Sequence, residues 1–154
     1  MTAEKQQIQR VYDAVADPKP EAIVVHCSDP RYQPHFQDFL RSGLHLERYG
    51  LIAVPGGPQL LTLSEYLPKF SWAGWRWIKF MTGLMQPERI ILIAHDDCRW
   101  YLDQRFWGQP ANLRERQIKD LQRVRGEIRE RFPNSRVELF YARLEDGRAG
   151  FESL

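Results

Sequence analysis

Ile23-Val24-Val25-His26-Cys27-Ser28-Asp29-Pro30-Arg31 is an apolar run that delivers a thiol, a carboxylate and a guanidinium within five residues. A second run, Ile90-Ile91-Leu92-Ile93-Ala94, ends the same way in His95-Asp96-Asp97-Cys98. Both runs are continuous rather than alternating, as strands of a parallel sheet covered on both faces are. Ligands of such sheets sit outside the carboxyl ends of the strands. Cys27 is therefore expected to meet His95 and Cys98 at one edge of the sheet. Two thiolates and an imidazole make a soft ligand set that suits Zn²⁺. The spacing of His95 and Cys98 lets one turn of backbone chelate a single ion. Three protein ligands leave a fourth position open, which marks a catalytic rather than a structural zinc.

Around this core of chemistry the composition is that of an ordinary globular chain. The 154 residues are enough for one domain with a sizeable core. An apolar fraction of 43% against a charged fraction of 27% excludes a disordered chain. The balance of 22 basic and 20 acidic residues, net +2, is too even to imply a nucleic-acid partner. The two cysteines are Cys27 and Cys98, both in the proposed site. A disulfide between them is the alternative, but two parallel strand ends in a chain of this kind favour thiols. Residues 1–6 carry no apolar signal region, and no apolar run reaches the length of a membrane span. A cytoplasmic protein without a membrane partner is expected.

Cys-Ser-Asp-x-Arg at one strand end, followed some sixty to seventy residues later by His-x-x-Cys at another, resembles the zinc motifs of the β-class carbonic anhydrases. The resemblance runs from about Glu21 to the C-terminus. It implies an α/β fold with a mainly parallel central sheet flanked by helices, and zinc held by Cys27, His95 and Cys98. It also implies a zinc-dependent lyase that hydrates carbon dioxide reversibly by zinc-bound hydroxide, with carbon dioxide and bicarbonate as the small-molecule substrates. Asp29 and Arg31 match the family's catalytic pair, in which the arginine keeps the aspartate off the metal and the aspartate orients the nucleophile. In some members the aspartate instead binds zinc and closes the site. By the same resemblance a homodimer or higher homo-oligomer is expected, with the site near the subunit boundary.

Three departures from the family pattern bear on activity. Pro30 stands where a small polar residue is usual and stiffens the backbone between Asp29 and Arg31. Arg99 follows Cys98 where the family has glycine, bringing a cation near the metal. Pro55-Gly56-Gly57-Pro58 replaces a polar segment that borders the substrate pocket; Gly57 can stand for the family's glycine, and Gln59 is the nearest side-chain amide that could replace a lost hydrogen bond. Two other readings therefore stand beside the hydratase. One is a catalytically silent zinc-binding relative, and the other is a hydrolase of a related small electrophile such as carbonyl sulfide or carbon disulfide. A thiol redox protein using Cys27 and Cys98 is weaker, because there is no Cys-x-x-Cys.

Outward from the two motifs, residues 1–20 are expected to form an N-terminal helical arm and residues 21–154 a single zinc-binding α/β domain. In the arm, Ile8, Val11, Tyr12 and Val15 share one helical face, which packs on a partner subunit or on its own domain. A helix is expected from Pro34 to Arg41, closed by Ser42-Gly43. A strand follows over residues 47–54, running into the Pro-Gly-Gly-Pro turn. Residues 63–84 read as helical with a break at Pro68, and carry Trp72, Trp75, Trp77 and Phe80, read as core or subunit interface before ligand platform. Residues 100–107 hold two further tryptophans. Asn112 with Glu115 marks a helix start, and the helix runs to about Arg131 with Ile118, Leu121, Val124 or Arg125, Ile128 and Phe132 inward. Its arginines alternate with acids and read as a solvated, salt-bridged face. A last strand over 136–142, a turn at Asp146-Gly147 and an edge strand at Phe151 complete the chain. Asp96 is assigned a supporting role beside the metal, and His26 a structural one.

Overall fold

The computed structural model describes residues 19–103 and 110–154. Its frame is a five-stranded sheet of β1 (Ala22–Cys27), β2 (Tyr49–Val54), β3 (Arg89–His95), β4 (Arg136–Glu145) and β5 (Arg148–Ser153). The spatial order is β2-β1-β3-β4-β5. The first four strands are parallel, and β5 returns antiparallel to β4. The apolar runs of the sequence are the two neighbouring inner strands, β1 and β3, in register from Ala22 with Arg89 to Val25 with Leu92. Burial on both faces is what their unbroken Ile/Val/Leu composition requires.

The two faces carry different cores. Ile23, Val25, Ile90 and Leu92 point towards α2 (Pro68–Met85) and α3 (Leu113–Arg131), where Ile78, Leu121, Val124 and Ile128 meet them. Val24, Ile91 and Ile93 point the other way, to Tyr32, Phe36 and Leu40 around α1 (Gln33–Asp38). This α1 face is short: one helical turn passes directly into a π-helical segment, Phe39–Gly43. The expected glycine stop at Gly43 is not how it ends, because the left-handed residue is His45, with φ 56°.

The helix expected over 63–84 begins only at the expected break, Pro68, and residues 63–66 are turn. Residues Gly57–Thr62 form a buried 3₁₀ helix, and α2 starts afresh at Pro68 in its first turn, where a missing N–H costs nothing. Ser71, Gly74 and Ile78 form its buried face. A Cβ on Gly74 would stand 2.6 Å from Leu60, so the two elements touch through absence of a side chain. Trp75 is half-buried, its indole N–H donating to the Leu61 carbonyl at 3.2 Å. Trp72, Trp77 and Phe80 are 70%, 45% and 65% exposed, so they are not core of this chain.

Helix α3 starts at Asn112, whose side chain accepts from the Glu115 N–H at 3.1 Å. The Glu115 carboxylate pairs forward with Lys119. Further i, i+4 pairs, Arg123 with Glu127 and Glu127 with Arg131, make the outer face the solvated one expected. The β4–β5 turn, Asp146-Gly147, has φ 49° and 73°, the left-handed pair a two-residue hairpin needs. No helix among the described residues is long and apolar enough to cross a membrane. The expected arm over residues 4–15 lies outside the described residues, as do Trp107, Gly108 and Gln109.

Candidate metal centre

β1 and β3 are adjacent, so their carboxyl ends bring the two motifs together. Cys27 ends β1, His95 ends β3, and Cys98 follows in the next turn. Strand alternation sends His95 to the α1 face, where its ring lies 4.2 Å from that of Tyr32. Cys27 leaves towards the other face and packs with Cys98 and Tyr101. The two sulfurs are 4.0 Å apart, and the three possible ligand atoms lie within 4.8 Å of one another. All three residues are buried, and both cysteines are free thiols.

The histidine has a defined tautomer. Its Nδ1 is 2.7 Å from the Asp96 carbonyl. A carbonyl only accepts, so Nδ1 carries the hydrogen and Nε2 the lone pair. That Nε2 is buried and has no hydrogen-bond partner among the described residues. A buried acceptor left empty is costly, and this one faces two thiols. Contact with the Cys98 thiol, with His95 alongside, holds the Cys27 thiol well below its ordinary value. The same contact, reinforced by burial, pushes Cys98 up. Thiols bind a metal as thiolates, so a cation between these two sulfurs would take the place of their protons. The backbone N–H of Gly56 donates to the Cys27 sulfur at 3.4 Å.

Supporting groups fix this constellation. The Asp96 carbonyl also accepts from the Tyr32 hydroxyl at 3.0 Å, and its carboxylate accepts from the Leu144 N–H at 2.8 Å. The Tyr141 hydroxyl lies 2.9 Å from Asp96 Oδ1 and 2.8 Å from Gln117 Oε1. Gln117 donates from α3 to the His95 carbonyl at 3.0 Å. Gln33 donates to the Cys27 and Asp29 carbonyls at 3.0 and 2.8 Å, pinning the first motif. Asp96 therefore has the supporting place expected of it. Tyr32, Gln33, Gln117 and Tyr141 went unrecognised in the sequence, where nothing distinguishes them from other polar residues. His26 is buried, stacks on Phe36 at 4.3 Å and donates to the Cys27 carbonyl.

A cleft of about 540 Å³ opens beside Cys27, with Asp29, Pro30, Arg31, Pro55, Arg99 and Trp100 in its walls. Asp29 is turned to Arg31: Nε donates to Oδ1 at 3.1 Å and Nη2 to Oδ2 at 2.7 Å. These bonds hold its carboxyl below the usual carboxylate range. Gly57 and Gln59 do not line the cleft. Gly57 lies against β1, where a Cβ would stand 2.7 Å from the Cys27 nitrogen. Gln59 is 1% exposed behind Gly56, and its Oε1 has no hydrogen-bond partner among the described residues.

No family model and no curated protein sequence matches the chain. Solved structures do. The tetrameric β-carbonic anhydrases of the ascomycete Sordaria macrospora superpose with a TM-score of 0.54 over 90% of this chain and 82% of theirs, at 15% identity. The chain has the β-carbonic anhydrase fold. A carbonic anhydrase from Glaciozyma antarctica gives a TM-score of 0.53 at 13% identity, covering 87% of this chain and 82% of that one. The β-carbonic anhydrase CafA of Aspergillus fumigatus gives 0.50 at 13%, covering 88% and 76%. Identities this low establish the fold, and the chemistry has to be argued from the site. There the β-carbonic anhydrase-like sheet places a Cys27/His95/Cys98 cluster able to hold a metal at its carboxyl edge.

Proposed function

We propose that the chain is a zinc-dependent lyase of the β-carbonic anhydrase type, catalysing reversible hydration of carbon dioxide, with Cys27, His95 and Cys98 as ligands. The observation that carries this reading is the empty, buried lone pair of His95 Nε2 facing two buried thiols. Tetrahedral zinc with sulfur bonds of about 2.3 Å places two thiolates roughly 3.8 Å apart, close to the 4.0 Å found. A metal of this kind supplies one thing, a water acidified towards neutrality.

The chain supplies the rest. The Asp96 carbonyl keeps the His95 lone pair aimed at the site. Asp29, held by Arg31, is placed to accept a hydrogen bond from the attacking water and to fix its direction. Pro30, Pro55 and the Trp100 indole give the cleft an apolar wall suited to a nonpolar linear substrate. Arg99 stands 76% exposed at the rim, a cation for an anionic product. Gly57 and Gln59 act on the substrate pocket from behind its wall, Gly57 by letting the loop approach Cys27. The reading includes a homodimer or higher assembly, a cytoplasmic location, an arm over residues 1–20 outside the domain of 21–154, and no nucleic-acid or membrane partner.

The test is metal analysis with stopped-flow hydration. About one zinc per chain should co-purify, and Cys27→Ser or Cys98→Ser should lose it, since two ligands bind weakly. Absence of zinc from protein never exposed to chelator would overturn the site. Bound zinc without carbon dioxide turnover would leave the silent zinc protein or turnover of carbonyl sulfide or carbon disulfide, with Pro30 and Arg99 as the suspects.

A further inference from the structure

We infer that Asp97 is the positioning residue of this centre: it fixes Arg31, and through Arg31 it holds Asp29 away from the fourth metal position. The turn between His95 and Cys98 would then also govern whether that position is open. The inference rests on the zinc reading above.

Arg31 lies between two acidic residues. One edge of its guanidinium serves Asp29, through Nε and Nη2. The other serves Asp97: Nη1 donates to the carboxylate at 2.8 Å, and Nη2 donates to the backbone carbonyl at 2.9 Å. Asp97 therefore presents two acceptors to a single cation, and its backbone has the conformation this requires, with φ 53°. Left-handed backbone is uncommon outside glycine, although aspartate tolerates it better than most. Here it turns main-chain and side-chain oxygens towards Arg31 together.

The second anchor matters because the first is weak alone. The Arg31 side chain is 43% exposed, and an exposed ion pair held from one side contributes little while its long side chain keeps its rotamer freedom. A planar guanidinium gripped along two edges loses that freedom. Asp29 is two residues past Cys27, and its side chain is 8% exposed beside that ligand. It has a short path to the metal if Arg31 lets go. Arg99 approaches the same Asp97 oxygen at 3.5 Å, further than Arg31 at 2.8 Å and with 76% of its side chain in solvent. Arg31 holds the better claim on that oxygen.

Asp97→Gly separates the carboxylate from the backbone, because glycine adopts a positive φ freely. Asp97→Asn keeps an oxygen acceptor. Each variant is loaded with zinc to measure metal content, and with cobalt(II) to follow azide entering the open position by visible absorption. Metal content should match the parent throughout. The parent and Asp97→Asn should bind azide with a clear spectral change, while Asp97→Gly should bind it about tenfold or more weakly, the scale of one lost charged hydrogen bond. Asp97→Gly combined with Asp29→Ala should recover azide binding, because no carboxylate is left to fill the position. Azide binding by Asp97→Gly at the parent's affinity overturns the inference and leaves the zinc reading standing. A double variant that stays insensitive also overturns it, since the loss then comes from a damaged turn. A parent that ignores azide until Asp29 is removed overturns it too, by showing Asp29 on the metal despite Arg31. A parent that takes up neither metal removes both readings.

Discussion

Gly57 is the point at which the loop after β2 rests on the end of β1. A Cβ there would stand 2.7 Å from the Cys27 nitrogen and 2.7 Å from the His26 carbonyl carbon. Both are backbone atoms that cannot rotate aside, and the residue has φ 54°. Gly57→Ala should therefore destabilise the protein by about 2 kcal/mol or more, since left-handed backbone alone costs about 1–2 kcal/mol. It should also weaken zinc binding by displacing Cys27. Urea unfolding and a zinc competition assay check this; a variant with the parent's midpoint would show that the loop does not bear on β1. At this scale the sequence shows reactive groups better than it shows room. Cys27, Asp29, Arg31, His95 and Cys98 are legible because their side-chain chemistry sits at the ends of apolar runs. Gly57 is legible only as a turn residue, since a close approach depends on which strand comes to lie beneath it. Asp97 reads as motif filler, because neither its φ nor the reach of Arg31 is visible before the strands are paired.

The elements around the site are joined by polar residues on helix and strand faces. Tyr141 on β4 meets Asp96 after β3 and Gln117 on α3, where its hydroxyl is buried among acceptors. Tyr141→Phe should cost about 1–2 kcal/mol at neutral pH, the range of a buried hydrogen bond left unmade. Its pH dependence is distinctive. Burial, followed by the hydrogen bond to Asp96, raises the Tyr141 pKa above its ordinary 10.0 in the folded protein. Above pH 10 the unfolded chain ionises this tyrosine and the folded one resists, so the unfolded state binds fewer protons and stability falls as pH rises. Part of that alkaline loss should be absent in Tyr141→Phe. Equal slopes of thermal midpoint against pH for parent and variant between pH 9 and 11 would refute the assignment. Apolar periodicity finds the inner face of α3 at Leu121, Val124 and Ile128, but passes over buried Gln117 and Asp120 on the same helix. A period in hydrophobicity carries no record of polar side chains that are buried because they are bonded. The buried 3₁₀ helix over 57–62 is passed over as well, because the glycines and prolines that open it read as a turn.

For the molecule as a whole, the outer face of α2 carries apolar side chains that stand exposed among the described residues. Phe70, Trp77, Phe80 and Leu84 follow one another at spacings of seven, three and four, and are 50%, 45%, 65% and 69% exposed. Contiguous apolar surface of this sort marks an interface more often than a bare wall. Light scattering at micromolar concentration should give at least a dimer mass, and Trp77→Glu with Phe80→Glu should reduce it to the monomer while leaving zinc bound. A monomer mass for the parent would end the proposal of assembly. The fold class was legible from two unbroken apolar runs, whose shortness and Ile/Val content favour strands of a sheet covered on both faces over a buried helix. Whether the Trp-rich helix turns its aromatics inward was not, because Ser71 and Gly74 rather than the tryptophans provide its close contact.

The placement of the three residues proposed to hold zinc has a kinetic side. Two end neighbouring inner strands. The third, Cys98, belongs to a turn that lies past the end of β3. If the three hold an ion, local opening of that turn would free one ligand without unfolding the sheet, and a chelator would empty the centre of a protein that stays folded.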